Sequence, residues 1–131
     1  MTLADIRDWL KTLQAAENYY IGRLDEKKEK SLGVYDLPRR EDPVTALGGM
    51  AQSSYDVKNV SLLLHWNRNA AETEAAARRL WQVVSGAAHI DLPGGAHIQF
   101  VRPLVPAPIS VDADRNGVYE YVIEMKIFYR R

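Results

Sequence analysis

The run "YEYVIEMKIFYR" (119–130) constrains this chain more than any other stretch of its sequence. Every second position carries an apolar or aromatic side chain: Tyr119, Tyr121, Ile123, Met125, Ile127 and Tyr129. Successive side chains of a β-strand point to opposite faces of its sheet, so these residues share one face. The run therefore predicts a long strand with one buried side, and the chain must build a sheet around it.

Two segments have the helical period instead of the strand period. Residues 3–15 carry Leu and Ile at helical spacing behind Thr2 and Asp5, a pair that fits a capping box. A second helix is predicted over 69–85, where Asn69 repeats the capping pattern. Gly86 stands where a left-handed residue commonly ends a helix.

The remaining apolar segments read as strands. They lie at 18–24, 31–37, 59–66, 96–101 and 105–111. The polar segment "DEKKEK" (25–30) is predicted to be a solvated hairpin loop between the first two strands. The order is helix, three strands, helix, then two or three strands, which predicts an α+β fold with a mostly antiparallel sheet and two helices packed on it. With 131 residues, the chain has room for a single domain over 1–131.

Residues 38–57 interrupt this rhythm with two prolines and two adjacent glycines. Loops of this length are uncommon in compact domains and are usually functional or disordered. The segment is also apolar for an idle loop, so we expect it to be a long loop or arm that contacts a partner. The candidate contact residues are Arg39, Arg40, Val44, Leu47, Met50 and Tyr55.

The segment "DADRNG" (112–117) resembles the start of a calcium-binding loop. Such a loop needs oxygen ligands at positions 1, 3 and 5, Gly at position 6 and Glu at position 12. The first four requirements are met, but Ile123 occupies the twelfth position and a strand follows where a helix is needed. We therefore expect no calcium here.

A hairpin explains "DADRNG" better. A three-residue loop over 115–117 puts glycine at the left-handed position of a bulged turn. It also pairs Val111 with Tyr121 and Ile109 with Ile123, which sets apolar residues against apolar residues.

The three histidines are His65, His89 and His97. His65 lies on the strand face opposite Leu64 and is predicted to have a structural or surface role. With Pro93 and Gly94 as the central residues of a turn, the other two histidines point to different faces. A loop one residue longer brings them together near Asp91. His89, Asp91 and His97 therefore form the alternative prediction, a small metal-binding enzyme or ligand-binding domain.

Composition excludes several other classes of protein. There are 0 cysteines, so disulfides, zinc–thiolate sites and cysteine nucleophiles are absent. Lys plus Arg and Asp plus Glu number 17 each, and this neutrality disfavours non-specific nucleic-acid binding. No apolar run approaches the roughly 20 residues that span a membrane, and no catalytic pattern is apparent. We expect a soluble non-enzyme made in the cytoplasm, without a cofactor.

The stretch 19–41 resembles a family of small minor capsid proteins from phages and prophages of Gram-positive-type bacteria. The similarity is carried by Ile21, Gly22, Arg23, Leu24 and Asp25, then a charged loop, then Ser31 to Tyr35. The resemblance implies a virion protein related to tail-terminator or head–tail joining proteins. Such proteins form rings, typically hexamers, that close the tail tube and join it to the head.

The resemblance also implies partners. They are copies of the same chain, the tail tube protein and head-completion proteins, with DNA passing through the ring. It supplies no catalytic residues, so the expected functional residues are those of interface surfaces.

Overall fold

A computed structural model describes residues 1–38 and 55–130 of the chain. Its helices and strands follow in the order α1 (Leu3–Thr12), β1 (Asn18–Ile21), β2 (Ser31–Asp36), β3 (Asp56–His65), α2 (Ala70–Ser85), β4 (Ala88–Asp91), β5 (His97–Pro103), β6 (Ile109–Ala113) and β7 (Tyr119–Arg130).

The alternating run 119–130 forms β7, which lies in the interior of a seven-stranded sheet of order β1-β2-β3-β7-β5-β4. One edge of β7 pairs with the whole of β3, from His65 opposite Glu120 to Asp56 opposite Tyr129. The other edge is shared by β6 and β5. The side chains of Ile123, Met125 and Ile127 are buried on one face, which confirms the predicted long strand with a buried side.

The α+β class is confirmed, but the sheet is mixed and not mostly antiparallel as predicted. β1 pairs with β2 in parallel, so "DEKKEK" is not a hairpin loop. The first strand ends at Ile21, and Gly22 then adopts a φ of 72°, which glycine reaches without strain. Leu24 is buried against the surface of β2, 3.5 Å from where a Cβ on Gly33 would lie. The connection then returns the chain to the start of β1, where Ser31 pairs with Asn18.

Both helices pack on the same face of the sheet. Thr2 and Asp5 form the predicted capping box of α1, and Asn69 caps α2 by accepting from the Glu72 N–H. Buried residues of α1 and α2 join the inward residues of the strands in one core. The core side of β3 carries Val60, Leu62 and Leu64, as the alternation predicts.

Three details of the helix and strand boundaries correct the sequence-based expectations. Gly86 has a φ of −93°, so it ends α2 without the left-handed conformation. Four strands follow α2 where two or three were predicted, because residues 88–91 form β4 against β5. β3 also begins at Asp56, earlier than the predicted start at 59.

"DADRNG" forms a hairpin with the predicted three-residue loop. The Gly117 N–H donates to the Asp114 carbonyl and the Asp114 N–H donates to the Val118 carbonyl, while Gly117 has a φ of 81°. The register beyond the turn differs from the prediction, since Ile109 pairs with Val122. Asp112, at a φ of 62°, lies where the register shifts and supplies the extra residue of a second bulge.

Candidate functional site

The sheet face away from the helices carries an aromatic patch of the half-buried Tyr55 and Phe128 and the exposed Phe100. The rings of Phe100 and Phe128 stack with centroids 4.3 Å apart, and the ring of Tyr55 lies 6.0 Å from that of Phe128. Phe100 remains 45% exposed. Phe128 and Phe100 are paired residues of β7 and β5, so the patch spans neighbouring strands.

The same face continues along the sheet toward β6. Pairing places Val57 beside Phe128 at one end of β3 and Leu63 beside Val122 at the other. Ile109 of β6 pairs with Val122 and is 38% exposed. Among the described residues, neither helix covers this face, so apolar side chains meet solvent at both of its ends.

The predicted contact arm falls mostly outside the described residues. Arg39, Arg40, Val44, Leu47 and Met50 belong to that undescribed part, so their role stays a prediction. Tyr55 is half-buried just before β3 and belongs to the aromatic patch.

His97 and Asp91 meet in the hairpin between β4 and β5. The Leu92 N–H donates to the Ala96 carbonyl, so the loop is the longer of the two considered from the sequence. His97 Nδ1 lies 2.7 Å from Asp91 Oδ1. His89 has a φ of 54°, and its ring centroid lies 6.2 Å from that of His97. The hairpin thus forms an Asp–His pair, in which Asp91 is exposed and the His97 side chain is largely buried, with a second histidine beside it.

A different histidine lies at a convergent polar cluster, formed by His65, Asp114 and Glu120. The three side chains place their ligand atoms within 4.8 Å of one another, the one such group in the described ranges 1–38 and 55–130. His65 lies opposite Glu120 on neighbouring strands, on the face away from Leu64 as predicted. Its side chain is fully buried, which excludes the surface role.

Each nitrogen of His65 has an oxygen partner. Nδ1 lies 2.9 Å from Glu120 Oε2 and 3.8 Å from Asp114 Oδ2. Nε2 lies 3.0 Å from the carbonyl oxygen of Glu26, in the connection between β1 and β2. The cluster therefore joins the middle of the sheet to two surface loops.

Asp114 is held in place by its own turn. Its Oδ1 accepts from the backbone N–H groups of Asn116 and Val118. Burial raises the pKa of this carboxyl, but those two hydrogen bonds and the nearby His65 and Arg115 outweigh burial and hold the pKa below its ordinary value. The carboxylate form is therefore favoured beside His65.

A groove of about 710 Å³ lies beside the cluster. Arg115 crosses it and contacts Glu26, with 3.2 Å between Nη2 and Oε2. Arg23 and Arg68 also line the groove, together with Leu24. The loops that cover His65 are thus connected to each other by charged side chains at the surface.

Sequence reasoning missed this cluster because its members lie far apart in the chain. "DADRNG" drew attention to Asp114, yet only as a calcium ligand or a turn residue. The partner of Asp114 is His65 on β3, and nothing in either local sequence indicates the other. The pairing of β3 with β7 places His65 opposite Glu120, and the turn before β7 brings Asp114 within 3.8 Å of His65 Nδ1.

Comparison with known proteins adds no assignment: neither a protein-family model nor a curated protein matches the sequence. Within the part of the chain that the structure describes, no helix has the length and apolar character to cross a membrane.

Proposed function

We propose that this chain is a non-enzymatic structural subunit of a phage or prophage particle. In this proposal it is a minor capsid protein of the tail-terminator type, which forms a ring with copies of itself at the head–tail junction. The observation that carries the proposal is the helix-free face of the sheet with its aromatic patch. Aromatic side chains are enriched in protein–protein contacts, and this cluster lies on a sheet face that neither helix covers.

The free energy available from the patch is large enough to matter. Phe100 leaves 45% of its surface exposed. For an aromatic side chain of roughly 200 Å², the exposed part is about 90 Å², which stabilises a contact by about 2 kcal/mol when buried. A ring repeats the same contact at every interface, so one side chain contributes several times to the assembly.

The open sheet also suits a ring. Contacts between two different surfaces of identical subunits generate closed rings when the rotation closes. β1 and β4 lie at opposite ends of the strand order, so each subunit offers two unlike sheet edges. The formal net charge of zero lets subunits approach one another without strong repulsion.

The stretch that resembles minor capsid proteins, residues 19–41, includes most of β1, its connection to β2 and all of β2. In the particle, the proposed partners are neighbouring copies, the tail tube protein and head-completion proteins, with DNA passing through the ring. The proposed location is the virion, after assembly in the cytoplasm of the bacterial host.

The test compares two substitutions of exposed apolar residues, one on the helix-free face of the sheet and one on a helix. Phe100→Asp changes the aromatic patch, while Val83→Asp changes a 50% exposed residue of α2. Native mass spectrometry and negative-stain microscopy would follow each protein alone and with the tail tube protein of the same particle. We expect rings from wild type and Val83→Asp, and monomers from Phe100→Asp with unchanged circular dichroism. A wild-type chain that stays monomeric in both mixtures, or rings from Phe100→Asp, would contradict the proposal.

A further inference from the structure

The hydrogen bonds of His65 require a proton or a cation between its Nδ1 and the carboxyl groups that face it. The Glu26 carbonyl can only accept, so His65 Nε2 carries a hydrogen and donates it across 3.0 Å. A neutral ring then has a lone pair on Nδ1, facing the carboxyl oxygens of Glu120 and Asp114 at 2.9 and 3.8 Å. Lone pairs repel at these distances. Either a proton between Nδ1 and a carboxyl oxygen, or a metal ion among the three groups, removes the repulsion.

An unpartnered oxygen of Asp114 points to the metal ion. Asp114 Oδ1 accepts two backbone hydrogen bonds, whereas Oδ2 is buried and has no hydrogen-bond partner. A buried carboxylate oxygen without a partner is costly. A proton on His65 Nδ1 is engaged by Glu120 at 2.9 Å and leaves Asp114 Oδ2 at 3.8 Å, beyond hydrogen-bond reach. A metal ion bonds to both carboxylates at once.

We propose that His65 Nδ1, Asp114 Oδ2 and Glu120 Oε2 bind a divalent transition-metal ion. Ligands at 2.0–2.2 Å from tetrahedral zinc lie about 3.3 Å from one another. The separations from Nδ1, 2.9 Å to Glu120 and 3.8 Å to Asp114, bracket that value, so small side-chain rotations complete the site. The Glu26 carbonyl takes the second-shell role of fixing the histidine tautomer.

The donor set selects the class of metal. One imidazole nitrogen with two carboxylates suits Zn²⁺ or Co²⁺, while Mg²⁺ and Ca²⁺ prefer oxygen ligands alone. All three ligands come from one chain, so binding is independent of ring assembly. The ion would fasten the "DADRNG" turn to β3 and β7 and, through His65, to the loop at Glu26.

Isothermal titration with zinc chloride tests the site, using full-length protein stripped with chelator and freed of any affinity tag. We expect about one Zn²⁺ per chain, and Co²⁺ should give the visible absorption bands of a coordinated ion. Asp114→Asn keeps the oxygen that accepts from the turn but removes the ligand, and Glu120→Gln preserves shape. Each should weaken zinc binding at least tenfold without changing the circular dichroism.

His97→Gln is the matched control, because it removes the other histidine that contacts a carboxylate. It should bind zinc within twofold of wild type. The proposal is overturned when wild type binds no zinc, which leaves a protonated His65 as the bridge. It is also overturned when Asp114→Asn binds as tightly as wild type, or when the loss occurs in His97→Gln instead.

Discussion

Replacing Asp112 by glycine should stabilise the protein, and the sign of this effect tests the bulge in β6. Asp112 has a φ of 62° and lies between Ser110 and Ala113, where the pairing with β7 slips by one residue. The slip sets Ile109 opposite Val122, on the helix-free face of the sheet. The substitution therefore probes the feature that determines which side chains this face presents.

The magnitude follows from two opposing terms. A left-handed conformation costs an ordinary L-residue roughly 1–2 kcal/mol, and glycine avoids this cost. Glycine in turn loses roughly 0.4–1 kcal/mol through the greater freedom of its unfolded chain. Aspartate tolerates this region better than most L-residues, so its cost lies near the lower limit of that range, and the net expectation for Asp112→Gly is a small gain of about 0–0.6 kcal/mol in the free energy of unfolding. In a regular strand, without the bulge, the same change would lose about 0.5–1 kcal/mol.

Urea unfolding, followed by the fluorescence of Trp9, Trp66 and Trp81, measures the difference. The expected gain corresponds to a melting temperature at most about 2 °C higher than that of wild type. Asp112→Ala is the matched control and should be less stable than wild type, because alanine tolerates the left-handed region less well than aspartate. A glycine variant less stable than wild type, or equal to the alanine variant, would refute the bulge.

Three further predictions concern the core, the helix cap and the metal cluster. Leu62→Ala truncates a fully buried side chain and should lower the free energy of unfolding by about 2–5 kcal/mol in urea titrations, with Leu63→Ala on the other face of β3 costing less. Thr2→Ala removes the hydroxyl that accepts from the Asp5 N–H, and should cost about 1 kcal/mol by the same assay, whereas Thr2→Ser should cost little. Zinc at a hundredfold excess over its dissociation constant should stabilise the fold by about 2.7 kcal/mol, seen in calorimetry as a melting temperature about 10 °C higher that chelator reverses. An unchanged melting temperature would contradict the last of these.

The local elements of the fold were predictable where one pattern governs a segment. The alternation in 119–130 predicted β7, and the Thr2–Asp5 pair predicted the start of α1. Glycine at the third position of a three-residue loop predicted the turn at Gly117. Such features depend on residues within a few positions of one another, so the sequence contains them directly.

Pairing between strands was less predictable. The sequence of β1 and β2 is compatible with a hairpin, yet the two strands pair in parallel, with Leu24 of their connection buried beside Gly33. The register of β6 depends on a bulge at Asp112, which has a positive φ. Aspartate tolerates a positive φ but does not by itself indicate a bulge in the sequence. These outcomes depend on how side chains from separate segments fit together.

The sequence by itself determined both helices and the long strands β3 and β7 with their buried sides, because these follow from the spacing of apolar residues, whereas the short strand β4 was not predicted. Only the tertiary structure decided that His65 meets Asp114 and Glu120, since the three come together through the pairing of β3 with β7 and the folding back of the "DADRNG" turn. It also decided that both helices cover one face, which leaves Phe100 and its neighbours exposed on the other. The strand pairing depends on the total apolar surface that the whole core buries, and no short stretch of sequence contains that information.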